Sequence, residues 1–185
     1  ILLDMHSPFI VHLFDYFTEG SYRYMAEEFV DGMALDKLLA KQTVLSPPLA
    51  LLVLLDACLA LKYAHSKDIV HRDIKPGNIL ISKRAEVKLA DFGIATGDKD
   101  SEAAAITEQG MALGTPAYMP PEQFENSAAV DARADIYSLG VMLYEMVTGA
   151  KPYPSTLSIG TLNAIKKEKY TPPQKIDKTI PPYVC

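Results

Sequence analysis

Apolar and polar positions change their period several times along the chain, and each change marks an element. Phe9-Ile10-Val11-His12-Leu13-Phe14-Asp15-Tyr16-Phe17 mixes alternation with β-branched and aromatic side chains, and Glu19-Gly20-Ser21 follows as a turn signal. This predicts two short strands, near 11–17 and 22–29, joined as a hairpin. Asp31-Gly32 breaks the pattern, after which Leu35, Leu38 and Leu39 return at helical spacing and predict a short helix. Pro47-Pro48 suits a first helical turn, where a missing amide hydrogen costs nothing, and residues 49–65 beyond it are apolar nearly all round. A segment of that kind is expected at the centre of a bundle. From Ile69 to Ala90 the pattern shortens to loops and two β-runs, Ile79-Leu80-Ile81 and Val87-Lys88-Leu89. Residues 97–112 have no period and read as a long, mobile loop, a length that usually signals function or disorder. Residues 135–148 are apolar almost throughout and predict a second long helix, with Asp135 where a cap would sit. A more amphipathic helix is predicted near 158–168, closing on Lys166, Lys167 and Lys169, and Pro181-Pro182-Tyr183-Val184-Cys185 reads as the start of another. The pattern describes one compact, mostly helical α+β unit with a small β portion at its front.

Composition narrows the class without naming a function. A chain of 185 residues is long enough for one domain with its own core. Its 18 Lys and Arg stand against 23 Asp and Glu, a net charge of -5, so it offers no basic field and no nucleic-acid partner is expected. Cys58 and Cys185 lie far apart and suggest neither a metal quartet nor a disulfide framework, which fits a reduced, cytoplasmic setting. Ile1-Leu2-Leu3-Asp4 carries no basic stretch, so no targeting peptide is expected. The most apolar run, Leu49 to Leu61, is broken by Asp56 and is shorter than the ~20 residues that span a bilayer, so no membrane segment is expected. The chain does not begin with Met, and both ends are read as cuts in a longer protein.

The densest chemistry is His71-Arg72-Asp73-Ile74-Lys75-Pro76-Gly77-Asn78. Eighteen residues after Asp73 comes Asp91-Phe92-Gly93, and thirty-one after Asp91 comes Glu122, which closes Gly114-Thr115-Pro116-Ala117-Tyr118-Met119-Pro120-Pro121-Glu122. A lone Asp beside an Arg is more often a surface ion pair, and a lone Asn a turn residue. Three groups in this order at these gaps reverse those odds. The chain here resembles the catalytic half of a eukaryotic-like Ser/Thr protein kinase domain, in a bacterial style, over essentially its whole length. The resemblance implies a protein-kinase-like α+β fold, with residues 1–30 as a remnant of the small lobe and hinge. Residues 31–185 would form the large lobe, incomplete at its C-terminus.

The implied activity is transfer of the γ-phosphoryl group of MgATP to Ser or Thr hydroxyls of protein substrates, which needs little covalent work and much positioning. By resemblance Asp73 accepts the proton of the acceptor hydroxyl, Lys75 offers a point charge to the phosphate, and Asn78 and Asp91 supply hard oxygens to Mg²⁺. Lys75 two positions after Asp73, with Thr115 in the wall that receives the residue after the acceptor, marks Ser/Thr rather than Tyr as substrate. Glu28 and Val30 flank Phe29 in the segment resembling the adenine-binding hinge, and Leu80 resembles the apolar floor below it. His71 and Phe92, with Leu13, belong to the apolar stack between lobes; Asp135 is its buried anchor, and Glu122 is structural. Arg72 is the receiver for an activating phosphate, at Thr107 by preference and otherwise at Ser101.

Several departures are visible. Glu27 falls where the family usually has an apolar residue behind the adenine, an oddity that a one-residue slip in register would remove. Met119 replaces a small residue, and the Arg expected to pair with Glu122 is not in the sequence. Nor is a glycine-rich loop, a lysine-bearing strand or a helix glutamate ahead of Ile1. A noncatalytic pseudokinase or interaction module is therefore the alternative, although the complete set of Asp73, Lys75, Asn78 and Asp91 favours an enzyme. A kinase of small molecules such as aminoglycosides is a third reading, and the long segment from Asp91 to Glu122 argues against it. Oligomeric state is not legible.

Overall fold

In a computed structural model, residues 2–92, 116–125, 130–156 and 158–184 are described. After a single 3-10 turn at Leu2–Asp4, strands β1 (Leu13–Glu19) and β2 (Tyr22–Glu27) form the expected hairpin. They pair antiparallel from Leu13 opposite Glu27 to Glu19 opposite Tyr22, with a register irregularity between Leu13 and Asp15. Phe17 and Tyr24 stack across the strands at 5.2 Å. A second sheet has the order β3 (Gly32–Ala34), β4 (Ile79–Ser82), β5 (Val87–Leu89), antiparallel throughout. Gly32 is required there, because a Cβ at this position would lie 1.9 Å from the carbonyl oxygen of Ile81.

Helix α1 (Leu35–Gln42) leaves β3 directly and buries Leu35 and Leu39. Helix α2 (Pro47–His65) begins at the proline pair and packs on β5 and on the long helix α4 (Ala132–Thr148). The expectation that α2 is buried all round needs correcting. Its core face is Ala50, Val53, Ala57, Ala60, Leu61 and Ala64, while Leu49, Leu52 and Leu55 are exposed. Mostly small residues face the neighbours because they allow the backbones to approach closely, and these three leucines are turned outward. At 19 residues α2 is longer than the apolar run suggested, and by length and composition alone it would reach across a membrane. Cys58 is exposed on it as a free thiol, and Cys185 lies outside the described residues.

The short helix α3 (Pro121–Glu125) precedes α4. The cap of α4 also differs from expectation: Asp131, not Asp135, accepts the Arg133 amide at 2.9 Å. Asp135 sits one turn inside and is buried. Gly149, at φ 70°, ends α4 by donating its amide to Glu145, a left-handed cap that glycine adopts without strain. Helix α5 (Ile159–Lys166) is capped by Ser158, which accepts the Thr161 amide at 3.0 Å, and α6 (Pro173–Ile176) follows. The terminal prolines give only a 3-10 turn at Pro182–Val184, whose Val184 joins Ile180 in the core. That core runs through Leu35, Leu61, Ile74, Ile79, Leu89, Met142 and Met146, so the loop bearing residues 71–78 rests on packed side chains. The segment expected as a loop at 97–112 lies outside the described residues.

Candidate active site

The loop from His71 to Asn78 is fixed from below by one carboxylate. Asp135, 1% exposed, accepts the His71 amide at 2.9 Å and the Arg72 amide at 2.8 Å, and its Oδ2 lies 2.8 Å from Nε2 of His65. Arg72 needs this support because its φ of 66° lies in the left-handed region that a residue with a side chain rarely adopts. Such a conformation costs about 1–3 kcal/mol, and a hydrogen bond to a charged acceptor returns about 1.5–3 kcal/mol. Three polar residues of α4 share one face: Asp135 holds the loop, the Ser138 hydroxyl lies 2.8 Å from the Tyr118 carbonyl, and Glu145 accepts the Tyr118 hydroxyl.

His71 is a structural member with a defined tautomer. Its Nε2 lies 2.9 Å from the Ala90 carbonyl, which can only accept, so that nitrogen carries the hydrogen. Nδ1 is then free to accept the Asp73 amide at 3.2 Å. The ring meets Phe92 edge-on at 4.6 Å, as the expected stack requires, while Leu13 is half-buried on β1 opposite Glu27. Burial pushes the His71 pKa down, against the opposing pull of the Ala90 bond and of Asp135, Asp73 and Asp91. In the unfolded chain a histidine protonates near ~6.5, so below that pH the unfolded state binds the extra proton and the folded state does not. The His71 contribution to stability is therefore full above the unfolded value and falls as pH drops through it. Urea unfolding at about pH 7.5 and about pH 5.5 should show a stability loss on acidification that His71→Phe reduces. An acid loss of the same size in His71→Phe would contradict this.

Beyond its amide bond to His71, Asp73 is held by three contacts from Lys75 and Asn78. Lys75 Nζ lies 2.5 Å from its Oδ2, and the Asn78 amide nitrogen lies 2.8 Å from its carbonyl and 3.1 Å from Oδ2. Oδ1 has no partner among the described residues, and the side chain is 49% exposed, so one oxygen of an oriented carboxylate faces outward. Asn78 is buried and also joins the two motifs, since its carbonyl accepts the Ala90 amide at 2.9 Å just ahead of Asp91. Because both Asn78 contacts use the amide nitrogen, its Oδ1 is left as an acceptor. Asp91 is exposed at φ 61°, a second left-handed residue in the site. Among the described residues no group of three or more His, Cys, Asp or Glu could hold a metal alone. One amide oxygen and one carboxylate suit a hard cation that takes its other ligands from phosphate and water.

On the hinge side, Glu28 is tied down by Lys88, whose Nζ lies 2.7 Å from Oε1, and by the His12 amide at 3.3 Å. Partial burial pulls the Glu28 carboxyl upward, but the Lys88 and His12 contacts outweigh it and hold it below its ordinary value. The Glu28 amide is taken by the His12 carbonyl at 2.8 Å, while the Glu28 carbonyl and the backbone groups of Phe29 and Val30 have no backbone partner among the described residues. Leu80, half-buried on β4 opposite Ala34 and Lys88, is at floor level. Glu27 stands at the end of β2 opposite Leu13 and is exposed. Partial burial first and the nearby Asp91 second raise its carboxyl pKa.

Arg72 is exposed and its guanidinium has no ion pair among the described residues; its carbonyl accepts from Gln123 at 3.2 Å. Glu122 is exposed in the first turn of α3. Thr115, Thr107 and Ser101 lie outside the described residues, as do Gly93 and Gly114. Sequence reasoning missed His65, Lys88, Ser138 and Glu145. For the last two a signal existed, since Asp135, Ser138 and Glu145 recur on one stripe of an otherwise apolar helix.

Comparison with known proteins shows the family. The family model described as "Protein kinase domain" matches residues 1–182. The Ser/Thr-protein kinase PknB of Mycobacterium tuberculosis is 39% identical over 154 residues, 83% of this chain and 24% of PknB. PknA of the same organism, also a Ser/Thr-protein kinase, is 41% identical over 166 residues, 90% of this chain and 37% of PknA. The chain thus spans about a quarter to a third of the length of these relatives. A crystal structure of Rad53 residues 1–466 in complex with AMP-PNP superposes with a TM-score of 0.81 at 28% identity, covering 99% of this chain and 45% of that one.

Proposed function

The chain belongs to the protein kinase domain family, and from that premise we propose that it carries the transfer site of a Ser/Thr protein kinase. The reaction moves the γ-phosphoryl group of ATP to Ser or Thr hydroxyls of protein substrates. The observation that carries this reading is the Asp73 carboxylate, oriented by Lys75 and Asn78 with one oxygen left open. That oxygen can accept the acceptor proton and hold the attacking oxygen in line. Lys75, 2.5 Å away, is placed to meet negative charge as it shifts across the transferring group. The description of PknB and PknA as Ser/Thr kinases supports the acceptor class, and AMP-PNP on Rad53 supports an adenine nucleotide as donor. The free backbone groups at Glu28 and Val30 would meet the base, with Leu80 beneath it.

Asn78 and Asp91 are the residues that would hold Mg²⁺, which when bound neutralises phosphate oxygens. Thr115 belongs to the wall beside the acceptor. Arg72, exposed on the catalytic loop, is the receiver for a phosphate at Thr107, or at Ser101, which would order the loop that carries it. The metal assignment is tested by calorimetry on the longest natural chain that carries these residues. Asp91→Ala should weaken ATP binding in Mg²⁺ while leaving binding in chelator nearly unchanged. Equal affinity of wild type and variant in Mg²⁺ would contradict the assignment.

A further inference from the structure

The hinge segment from Glu28 to Val30 is held only at its ends. Phe29 is 86% exposed, and neither it nor Val30 has a backbone partner among the described residues. At the far end the Asp31 carbonyl accepts the Lys83 amide at 2.8 Å, and the side chains of the same two residues pair at 2.9 Å. Both of those side chains are exposed, and an ion pair in that setting contributes little. At the near end Glu28 is fixed twice. Its amide donates to the His12 carbonyl at 2.8 Å, and Lys88 Nζ lies 2.7 Å from one carboxylate oxygen and 2.8 Å from the other.

Lys88 is better founded than Lys83. Its strand β5 pairs with β4 on one side, and on the other it bonds the segment ahead of β1: the Leu89 amide donates to the Phe9 carbonyl at 2.8 Å, and the Val11 amide donates to the Leu89 carbonyl at 2.9 Å. Val87 and Leu89 are buried in the core, so Lys88 between them points to the opposite face of the sheet. Leu80 is its partner in the register, and residues directly opposite share a face with about 4.5–5.5 Å between Cβ atoms. Lys88 therefore stands beside the residue that would form the floor under the base. Its side chain is 15% exposed, and its head group reaches the hinge. One side chain spans from the floor to the rim of the base site.

We propose that Lys88 is a positioning residue for the nucleotide: acting through Glu28, it fixes the hinge backbone against the Leu80 floor and thereby sets the preference for adenine over guanine. The base class follows from hydrogen-bond chemistry. The Glu28 carbonyl can only accept, which suits the amino group of adenine, whereas guanine carries a carbonyl oxygen in its place. Two facing acceptors repel only as long as neither can move aside, so rejection of guanine needs a hinge that does not yield. With Phe29 and Val30 unpartnered, the shielded Lys88 contact supplies that stiffness. The inference deepens the kinase reading and rests on it.

The test measures kcat and KM with ATP and with GTP, in Mg²⁺, on the longest natural chain carrying residues 1–185. Lys88→Met keeps an unbranched stem and removes the charge. KM for ATP should rise about tenfold, part of what one charge-assisted bond supplies, while kcat stays within about twofold. KM for GTP should rise by less than about twofold, so the preference for ATP shrinks severalfold. Lys88→Arg keeps the charge and should restore most of that preference. Glu28→Gln leaves an acceptor for the His12 amide but makes the Lys88 contact one with a neutral group, and it should shift KM for ATP the same way by a smaller factor. Urea midpoints report folding, and if Lys88→Met does not fold, Glu28→Gln decides by the same readout. A wild type that uses GTP as well as ATP, unchanged constants in the variants, an equal loss for both nucleotides, a loss confined to kcat, or an Arg variant no better than Met would overturn the positioning role. Absence of transfer to any acceptor by the wild type would instead overturn the kinase reading beneath it.

Discussion

Asp73→Asn is expected to lower phosphoryl transfer to Ser or Thr by about 10²–10⁴-fold, the range a positioned general base supplies. The substitution keeps the shape of the side chain and removes its capacity to take a proton. It also forces a choice in the site. Lys75 Nζ and the Asn78 amide nitrogen both donate to Oδ2, so an asparagine must turn its oxygen to them and present its own amide hydrogens where the acceptor hydroxyl would approach. Nucleotide affinity should change much less, because the hinge groups at Glu28 and Val30 are untouched. Initial rates with radiolabelled ATP, alongside nucleotide titration, measure both. A variant that transfers at the wild-type rate would show that Asp73 is not the base.

The second large effect is on stability. Asp135→Ala should cost about 3–5 kcal/mol, the usual penalty when one partner of a buried charged network is deleted. Three donors lose their acceptor at once: the amides of His71 and Arg72 and the ring of His65. The first two define the loop, and without them nothing offsets the left-handed backbone at Arg72. The loss should therefore appear twice, as a lower urea midpoint and as an Asp73 no longer held for transfer. Asp135→Asn should fall between, since an amide oxygen can accept while its NH₂ must face a donor. A change below about 1 kcal/mol for Asp135→Ala would mean that the loop is held by something else.

What was legible in the sequence was local in the chain. His71, Asp73, Lys75 and Asn78 lie within eight residues, and their mutual contacts need only one turn of backbone to form. The hairpin, the proline start of α2 and the two β-runs were legible for the same reason. The cap of α4 was not, because Asp131 and Asp135 both stand at a helix start. Only packing decides which carboxylate bends back to an amide and which turns inward under another loop. Nor was the buried face of α2, where the alanines are inside with Val53 and Leu61 while Leu49, Leu52 and Leu55 are outside; hydrophobicity alone ranks alanine below leucine, and contact with α4 favours the smaller side chains. The Glu28–Lys88 pair spans sixty residues and leaves no trace in spacing.

The central claim is tested most directly by incubating the longest natural chain that carries residues 1–185 with γ-labelled ATP, Mg²⁺ and a protein acceptor, then hydrolysing the product and separating its phosphoamino acids. The account predicts label on Ser or Thr that depends on Mg²⁺ and disappears with Asp73→Asn. Label confined to Tyr, label on a small molecule instead of protein, or no label on any acceptor would contradict it.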